Sequence, residues 1–342
     1  MIKKLLNTAK KYDIVRKSIQ IKGGFYMLIS VDAGKDMTKA CIKENGNYIT
    51  ERFTSKIYNL EEGGDTIAAG NTYKVKYKNN EYLIGDSGTK RNHTTSKTDE
   101  INKLCQYVAI TRFITPNTRH KIDLITGCPA TIFKNADLKE EYRQNIFDDG
   151  KVDIEVDGKK YFFEFERIRI RPEGAGITVL RPDLFLNKNT LVIDIGGQNL
   201  NVILFDDMVP NVNKMFSKNA GGITIEQSLI NSFESEGIEN ITNAIIRTAI
   251  SNKYLKNDII SREDTSKKIN EEISKYIEAN ILEELNKNNI NKELYDVVFI
   301  GGTSFMLMDY LNNYFKDAIF MFNMEESQFA NCKGFYEMGS LE

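Results

Sequence analysis

The chain carries one short design twice: an apolar strand, an aspartate, and then one or two glycines, at residues 28–34 and again at 191–197. Glycine lets a strand turn at once and brings its backbone close to another group with no Cβ in the way. Each copy returns as a second strand, 38–43 after the first and 200–205 after the second. Taken alone, either hairpin is an ordinary Asp-Gly turn. Together, half a chain apart, they call for two related halves, each presenting a carboxylate at a strand end toward a shared cleft. The length of 342 residues fits two domains at roughly 150 residues apiece.

A third segment narrows the chemistry. Val297-Val298-Phe299-Ile300 reads as a buried strand running into Gly301-Gly302 and a helix start at Thr303-Ser304, with the helix expected over about 305–315. A glycine turn that opens a helix holds phosphates or adenosine at backbone distance. Asp32 and Asp194, each at a strand end, suit Mg2+ bound through water, because this ion keeps several waters and shares phosphate oxygens.

The intervening sequence alternates strand and helix patterns. Residues 48–53 complete a β-meander, and the polar, glycine-rich stretch 54–90 predicts a small inserted subdomain with a hairpin at 73–77 and 81–84. A helix is expected over 98–114, a buried strand over 122–126, and charged strands over 152–156 and 161–170 around the Asp157-Gly158 turn. Helices dominate from Thr224 to about 287, and no repeat of 20–50 residues is visible.

In this order the motifs resemble the actin/Hsp70/sugar-kinase ATPase superfamily over nearly all of residues 27–342: 28–43 its phosphate-1 segment, 191–205 its phosphate-2 segment, and 297–315 its adenosine motif. Lys39, seven residues after Asp32, matches the phosphate-1 lysine. Within the superfamily the sequence is most similar to ParM-type plasmid-segregation actins. Arg171-Pro172-Glu173-Gly174-Ala175-Gly176 resembles their Pro-Glu-Gly connection between the domains, which implies that Glu173 orients the attacking water.

The resemblance implies an α/β, actin-like (ribonuclease H-like) two-domain ATPase fold with a nucleotide cleft between the domains. Domain I would span 27–190, with the insertion at about 54–90. Domain II would span 191–324, and 325–342 would return to domain I as the closing helix. The implied catalytic residues are Glu173, Asp194 and Asp32, the two aspartates also holding Mg2+ through water. ATP or ADP would be contacted by Gly34, Lys35 and Lys39, by Gly196, Gly197, Gln198 and Asn199, by Gly221 and Gly222, and by Gly301, Gly302 and Thr303. Thr224 could equally serve only as a helix N-cap. The chain departs from the family pattern at Lys35, where relatives carry a small hydroxyl, at Gln198 and Asn199, which replace a hydroxyl pair, and at Asn201, which replaces an aspartate.

Charge separates the possible partners. Lysines and arginines number 46 against 48 acids, a net of −2, so the chain as a whole offers no cationic field for nucleic acid. Residues 1–26 carry a net of +6, which leaves −8 for the rest. Ile2, Leu5, Leu6, Ala9 and Tyr12 give residues 2–12 a basic amphipathic helical pattern. The Lys-Gly-Gly-Phe-Tyr-Met run can be encoded by a purine-rich, ribosome-binding-like stretch before an ATG, so we expect the natural start at Met27 and a non-native extension at 1–26. Four scattered cysteines (Cys41, Cys105, Cys128, Cys332), with only His93 and His120 as companions, read as buried reduced thiols rather than a metal or disulfide framework. No segment reaches the roughly 20 apolar residues of a membrane span, so a cytoplasmic protein without stable membrane association is expected.

The function these features imply is a nucleotide-dependent filament that hydrolyses ATP and segregates plasmid DNA. Its partners would be further copies of itself and a ParR-like adaptor that grips centromere DNA, so that DNA is engaged indirectly. GTP use stays open. The alternatives are a small-molecule kinase of the same superfamily, for which we identify no catalytic aspartate base or sugar pocket, and a chromosomal cell-shape or cell-division actin homologue.

Overall fold

The computed structural model of the protein describes residues 19–21, 24–63, 67–92, 96–321 and 323–342. The amphipathic pattern at 2–12, most of the basic N-terminal segment and His93 lie outside them.

Two mixed sheets organise the described residues. The first contains β1 (Ile19–Ile21), β2 (Gly24–Ala33), β3 (Met37–Glu44), β4 (Asn47–Thr54), β5 (Ile57–Asn59), β6 (Thr72–Tyr77), β7 (Asn80–Gly85), β8 (Arg119–Cys128), β9 (Lys151–Val156) and β10 (Lys159–Pro172). Their order is β4-β3-β2-β8-β10-β9-β6-β7-β5, with β1 paired to β2. Strands β2, β8 and β10 are mutually parallel, and the central one, β8, is buried on both faces from Ile122 to Cys128. Ile122 and Leu124 join the core that includes Leu104 and Val108 of α1 (Glu100–Thr111), while Ile125, of opposite parity, lies under Gly339. Three further helices belong to this half: α2 (Ala130–Phe133), α3 (Ala136–Phe147) and α4 (Ile177–Leu180).

The second sheet contains β11 (Asn189–Ile195), β12 (Leu200–Asp206), β13 (Val209–Pro210), β14 (Phe216–Lys218), β15 (Asp296–Ile300) and β16 (Ile319–Phe320), ordered β13-β12-β11-β15-β16 with β14 paired to β12. Its core is closed by α5 (Gly222–Glu234), α6 (Asn243–Asn252) and α7 (Arg262–Ile277), the last running through a π-helical turn into α8 (Glu283–Lys287). The short α9 (Gly302–Met306) and α10 (Met308–Leu311) follow β15, and α11 (Met324–Ser340) crosses back to pack on β2, β3 and β8. The fold is the actin-like two-domain α/β arrangement.

Several elements differ from the sequence pattern in instructive ways. The hairpin at 72–85 does not stand apart as an inserted subdomain, because β6 pairs with β9 through Val75↔Val156 and so extends the first sheet. Strand β2 begins at Gly24 and pairs Phe25 with His120, so one continuous strand crosses the expected boundary at 26/27. The helix expected over 305–315 breaks at the buried Leu307. Thr224 is not an N-cap, since α5 already starts at Gly222 with Gly221 in the cap position. The four cysteines are free and buried.

Candidate functional site

The two Asp-Gly hairpins fold in the same register. In the first, Asp32 of β2 faces Lys39 of β3; in the second, Asp194 of β11 faces Asn201 of β12. Directly opposed side chains on an antiparallel pair lie within reach of one another, and Lys39 Nζ sits 3.3 Å from Asp32 Oδ2. Both aspartates are buried, at 5% exposure. Parallel pairing of β11 with β15 sets Asp194 beside Ile300, so the turn that follows β15 meets the same carboxylate. There Gly301 has φ +90°, and a Cβ would stand 2.5 Å from Asp194 Oδ1. Only glycine meets both demands.

Glu173 enters between the aspartates from the end of β10. Its N–H donates to Cys128 O at 2.9 Å, which fixes the turn out of the sheet. Its carboxylate is held from both halves. Lys97 Nζ lies 3.0 Å from Oε1, and Asn201 Nδ2 donates to Oε2 at 2.9 Å. Asn201 is oriented in turn by Ser217 Oγ, which donates to its Oδ1 at 2.6 Å while accepting the Ala130 N–H. Lys97 is 1% exposed and donates to Ala33 O at 2.6 Å, directly after Asp32. Asn331 of α11 closes the arrangement: it accepts the Gly174 N–H and donates to Asp194 Oδ2, both at 2.8 Å.

These groups line one cavity of about 300 Å³, at the small end of ligand pockets. From the first half it takes Asp32, Gly34, Lys35 and Lys39 together with Glu173. The second half supplies Asp194, the loop Gly196-Gly197-Gln198-Asn199, and Gly301, Gly302 and Thr303. Gly221 and Gly222, expected beside ribose and phosphate, instead stand behind that loop. Their N–H groups donate to Gln198 O and Gly196 O, and Thr303 Oγ1 donates to Gly196 O, so the first turn of α5 braces the loop. Lys35 is buried in the cavity wall rather than turned outward.

Several lining residues had no place in the sequence reading of the site, among them Lys97, Asn331, Asp36 and Arg247. Asp36 is paired by Arg91 and approached by Arg247 Nη2 at 3.9 Å, while Arg247 Nε lies 2.6 Å from Glu226 Oε1. This chain of charges spans the cleft mouth. A lone lysine in a polar loop and an asparagine in a closing helix carry no motif, so position alone reveals them.

Crowded carboxylates and ammonium groups shift one another. Burial, then the nearby Glu173 and Asp32 charges, push the Asp194 carboxyl up to about 7 against the Asn331 hydrogen bond and Lys39. Burial works against the Lys97 and Lys39 ammonium charges, yet the acids beside them, Glu173 for Lys97 and Asp32 for Lys39, raise both above the ordinary lysine value. Lys35 lies the other way: burial and the Lys97 charge lower it to about 8.

The donor set fits Mg2+ with a nucleotide. Among the described residues no cluster of three His, Cys, Asp or Glu side chains forms a protein cage. Two buried carboxylates on one cavity, beside glycine loops, match an ion that uses one or two carboxylates plus phosphate oxygens and water.

Comparison with known proteins places the chain. A family model described as actin-like proteins, N-terminal domain, matches residues 30–176, and one described as plasmid segregation protein ParM, C-terminal, matches 186–338. The Alp12 filament structure is 30% identical, with 92% of this chain and 98% of that chain covered and a TM-score of 0.64. Ta0583, an archaeal actin homolog solved in complex with ADP, is 18% identical over 92% of this chain and 100% of its own, with a TM-score of 0.71. A 15-stranded ParM filament from Clostridium botulinum is 18% identical over 92% and 99%, at 0.68. No curated protein sequence matches.

Proposed function

The chain belongs to the ParM-type family of actin-like plasmid segregation proteins, and from that membership we propose that it is an ATPase whose filaments form and disassemble with the nucleotide and move plasmid DNA through an adaptor. The observation that carries this reading is the fixed position of Glu173. It lies in the same cavity as Asp32 and Asp194, held by Lys97 from one half and Asn201 from the other. A carboxylate restrained from two sides can orient a water and accept its proton late, which suits phosphoryl transfer to water, where placement and charge stabilisation dominate.

Asp32 and Asp194 would hold Mg2+ through water, and that ion would supply charge neutralisation on the phosphate oxygens. Lys39 keeps the Asp32 carboxylate in place, and Asn331 does the same for Asp194. Residues 197–199 would offer backbone N–H groups to phosphate, since the Gly196 and Gly301 N–H groups are taken by Asn199 O and Ser327 O, and Lys35 adds a cation. Because Asn201, Ser217 and Arg247 belong to one half and Glu173, Ala130 and Asp36 to the other, occupation of the cleft bears on how the halves sit together. A nucleotide shifts that equilibrium only by binding one arrangement more tightly. A filament built from the closed arrangement would weaken after hydrolysis. The −8 charge of residues 27–342 favours DNA attachment through a basic adaptor.

Light scattering and sedimentation with Mg-ATP test the proposal directly. Pelletable polymer that appears with ATP and decays as phosphate is released is the expected result. Nucleotide turnover that requires a sugar or other hydroxyl acceptor, with no polymer, would overturn it in favour of a kinase.

A further inference from the structure

Three strands of the second sheet carry a polar row to the cleft. Asp194 of β11 stands opposite Asn201 of β12, and Asn201 stands opposite Ser217 of β14. Side chains directly opposed across antiparallel strands share one face. Asp194 and Asn201 line the cavity, and Ser217 takes the next place in the row, behind Asn201.

From Ser217 a closed circuit of hydrogen bonds runs through both halves. The Ala130 N–H donates to Ser217 Oγ at 2.7 Å, Ser217 Oγ donates to Asn201 Oδ1 at 2.6 Å, and Asn201 Nδ2 donates to Glu173 Oε2 at 2.9 Å. Glu173 brings the circuit back to the first half, because its own N–H donates to Cys128 O, two residues before Ala130. Direction matters at each step. A hydroxyl has a single hydrogen. With the Ala130 N–H aimed at the Ser217 oxygen, that hydrogen is left for Asn201 Oδ1, and the NH2 end of the amide is left for Glu173. The two ends of an amide have nearly the same shape, so hydrogen bonding decides between them. Turned over, Asn201 would set Oδ1 against the Glu173 carboxylate, two acceptors with no hydrogen between them. An aspartate at 201 could accept from Ser217 but would have no hydrogen to give Glu173, so the relay belongs to the amide.

We infer that Ser217 is a positioning residue for nucleotide hydrolysis, whose hydroxyl makes the orientation of Glu173 conditional on contact between the halves. This rests on the reading of Glu173 as the residue that orients the attacking water. Where Ala130 stays against Ser217, Asn201 is locked and the carboxylate is held from the second half. Where the halves part at Ala130, the hydroxyl turns freely, the amide loses its preferred sense, and Glu173 keeps only the Lys97 restraint of its own half.

The test is phosphate release from the full chain with Mg-ATP, at a temperature where every variant is folded. Turnover is counted per pelleted subunit, so a change in assembly alone does not register. Ser217→Ala should lower kcat by about tenfold to 10²-fold, the range for loss of an outer support or slight misplacement of a reacting group, with KM little changed. Ser217→Thr keeps the hydroxyl and should restore most of the loss. In a Glu173→Gln background, Ser217→Ala should add almost nothing, since a residue that acts through Glu173 then has no base to orient. Wild-type kcat in Ser217→Ala beside a slow Glu173→Gln overturns the relay and leaves the role of Glu173 standing. A loss that threonine fails to restore, or that multiplies in full in the double variant, overturns it as well. Wild-type turnover in Glu173→Gln removes the reading of Glu173 and the relay with it.

Discussion

At the scale of single residues, the Lys97–Glu173 pair decides how the site should be probed. Each is almost fully buried, and removing one member of a buried pair leaves the other charge uncompensated, at a cost of roughly 3–5 kcal/mol. We therefore expect Lys97→Met to lower the urea-unfolding free energy by about that amount, and Glu173→Gln in the same chain to restore much of it. If the single and double variants prove equally unstable, the pair is not the reason. Glu173→Gln alone leaves the Lys97 charge uncompensated and should carry a similar stability cost. It keeps the shape and the Asn201 contact, so where the variant is folded it should retain nucleotide binding and assembly while phosphate release slows by about 10²–10⁴-fold; wild-type turnover would refute the role of Glu173. Lys35 gives a pH signature. Its folded value, near 8, lies below the ordinary 10.5, so between these the unfolded chain holds a proton that the folded chain has released, and stability from this group rises with pH across that window. Below it the buried charge is carried at full cost. Polyphosphate would restore the proton, so at about pH 9 nucleotide binding should take up protons, measured calorimetrically in buffers of different ionisation enthalpy. The uptake should vanish in Lys35→Met; equal uptake in both would exclude Lys35 as its source.

Among the elements, α11 contributes most to the site for its modest sequence signal. It brings Asn331 to Asp194 and Gly174 and buries Phe329, Cys332 and Phe335 against the first sheet. Its approach depends on close backbone contact, since a Cβ on Gly334 would lie 2.1 Å from Gly176 O. Overpacking of this kind costs typically about 1–3 kcal/mol. Gly334→Ala should reach the upper part of that range in chemical denaturation and reduce nucleotide affinity through Asn331. Gly339→Ala, where a Cβ meets the ends of Arg169 and Leu28 side chains at 3.1 Å, should cost less than about 1 kcal/mol; the reverse ranking would contradict this packing. The twin hairpins were legible as strands and turns because alternation and glycines mark them. Their shared register, Asp32↔Lys39 and Asp194↔Asn201, was half visible in the seven-residue spacing. Helix α3 was not anticipated: among its residues only Tyr142 and Ile146 are buried, too few to print an apolar stripe.

For the molecule as a whole, the position of the N-terminal boundary has a measurable consequence. A chain starting at Met27 loses β1 and Tyr26, whose hydroxyl donates to the buried Asp123 at 2.6 Å. Loss of a hydrogen bond to a charged group costs about 1.5–3 kcal/mol, so this truncation should unfold at lower denaturant yet keep its turnover, because the cleft residues begin at Asp32. Lost turnover at temperatures where the truncated chain is folded would contradict that division. The sequence by itself determined the two-fold plan, the carboxylates at the strand ends and the glycine turns, because each is a local demand of backbone geometry written into neighbouring residues. Only the tertiary structure decided that Lys97 and Asn201 hold Glu173 from opposite halves and that Gly221 and Gly222 brace a loop instead of lining the cavity. Those contacts join residues far apart in the chain, and whether two such groups meet depends on how sheets and helices pack, which no short stretch of sequence specifies.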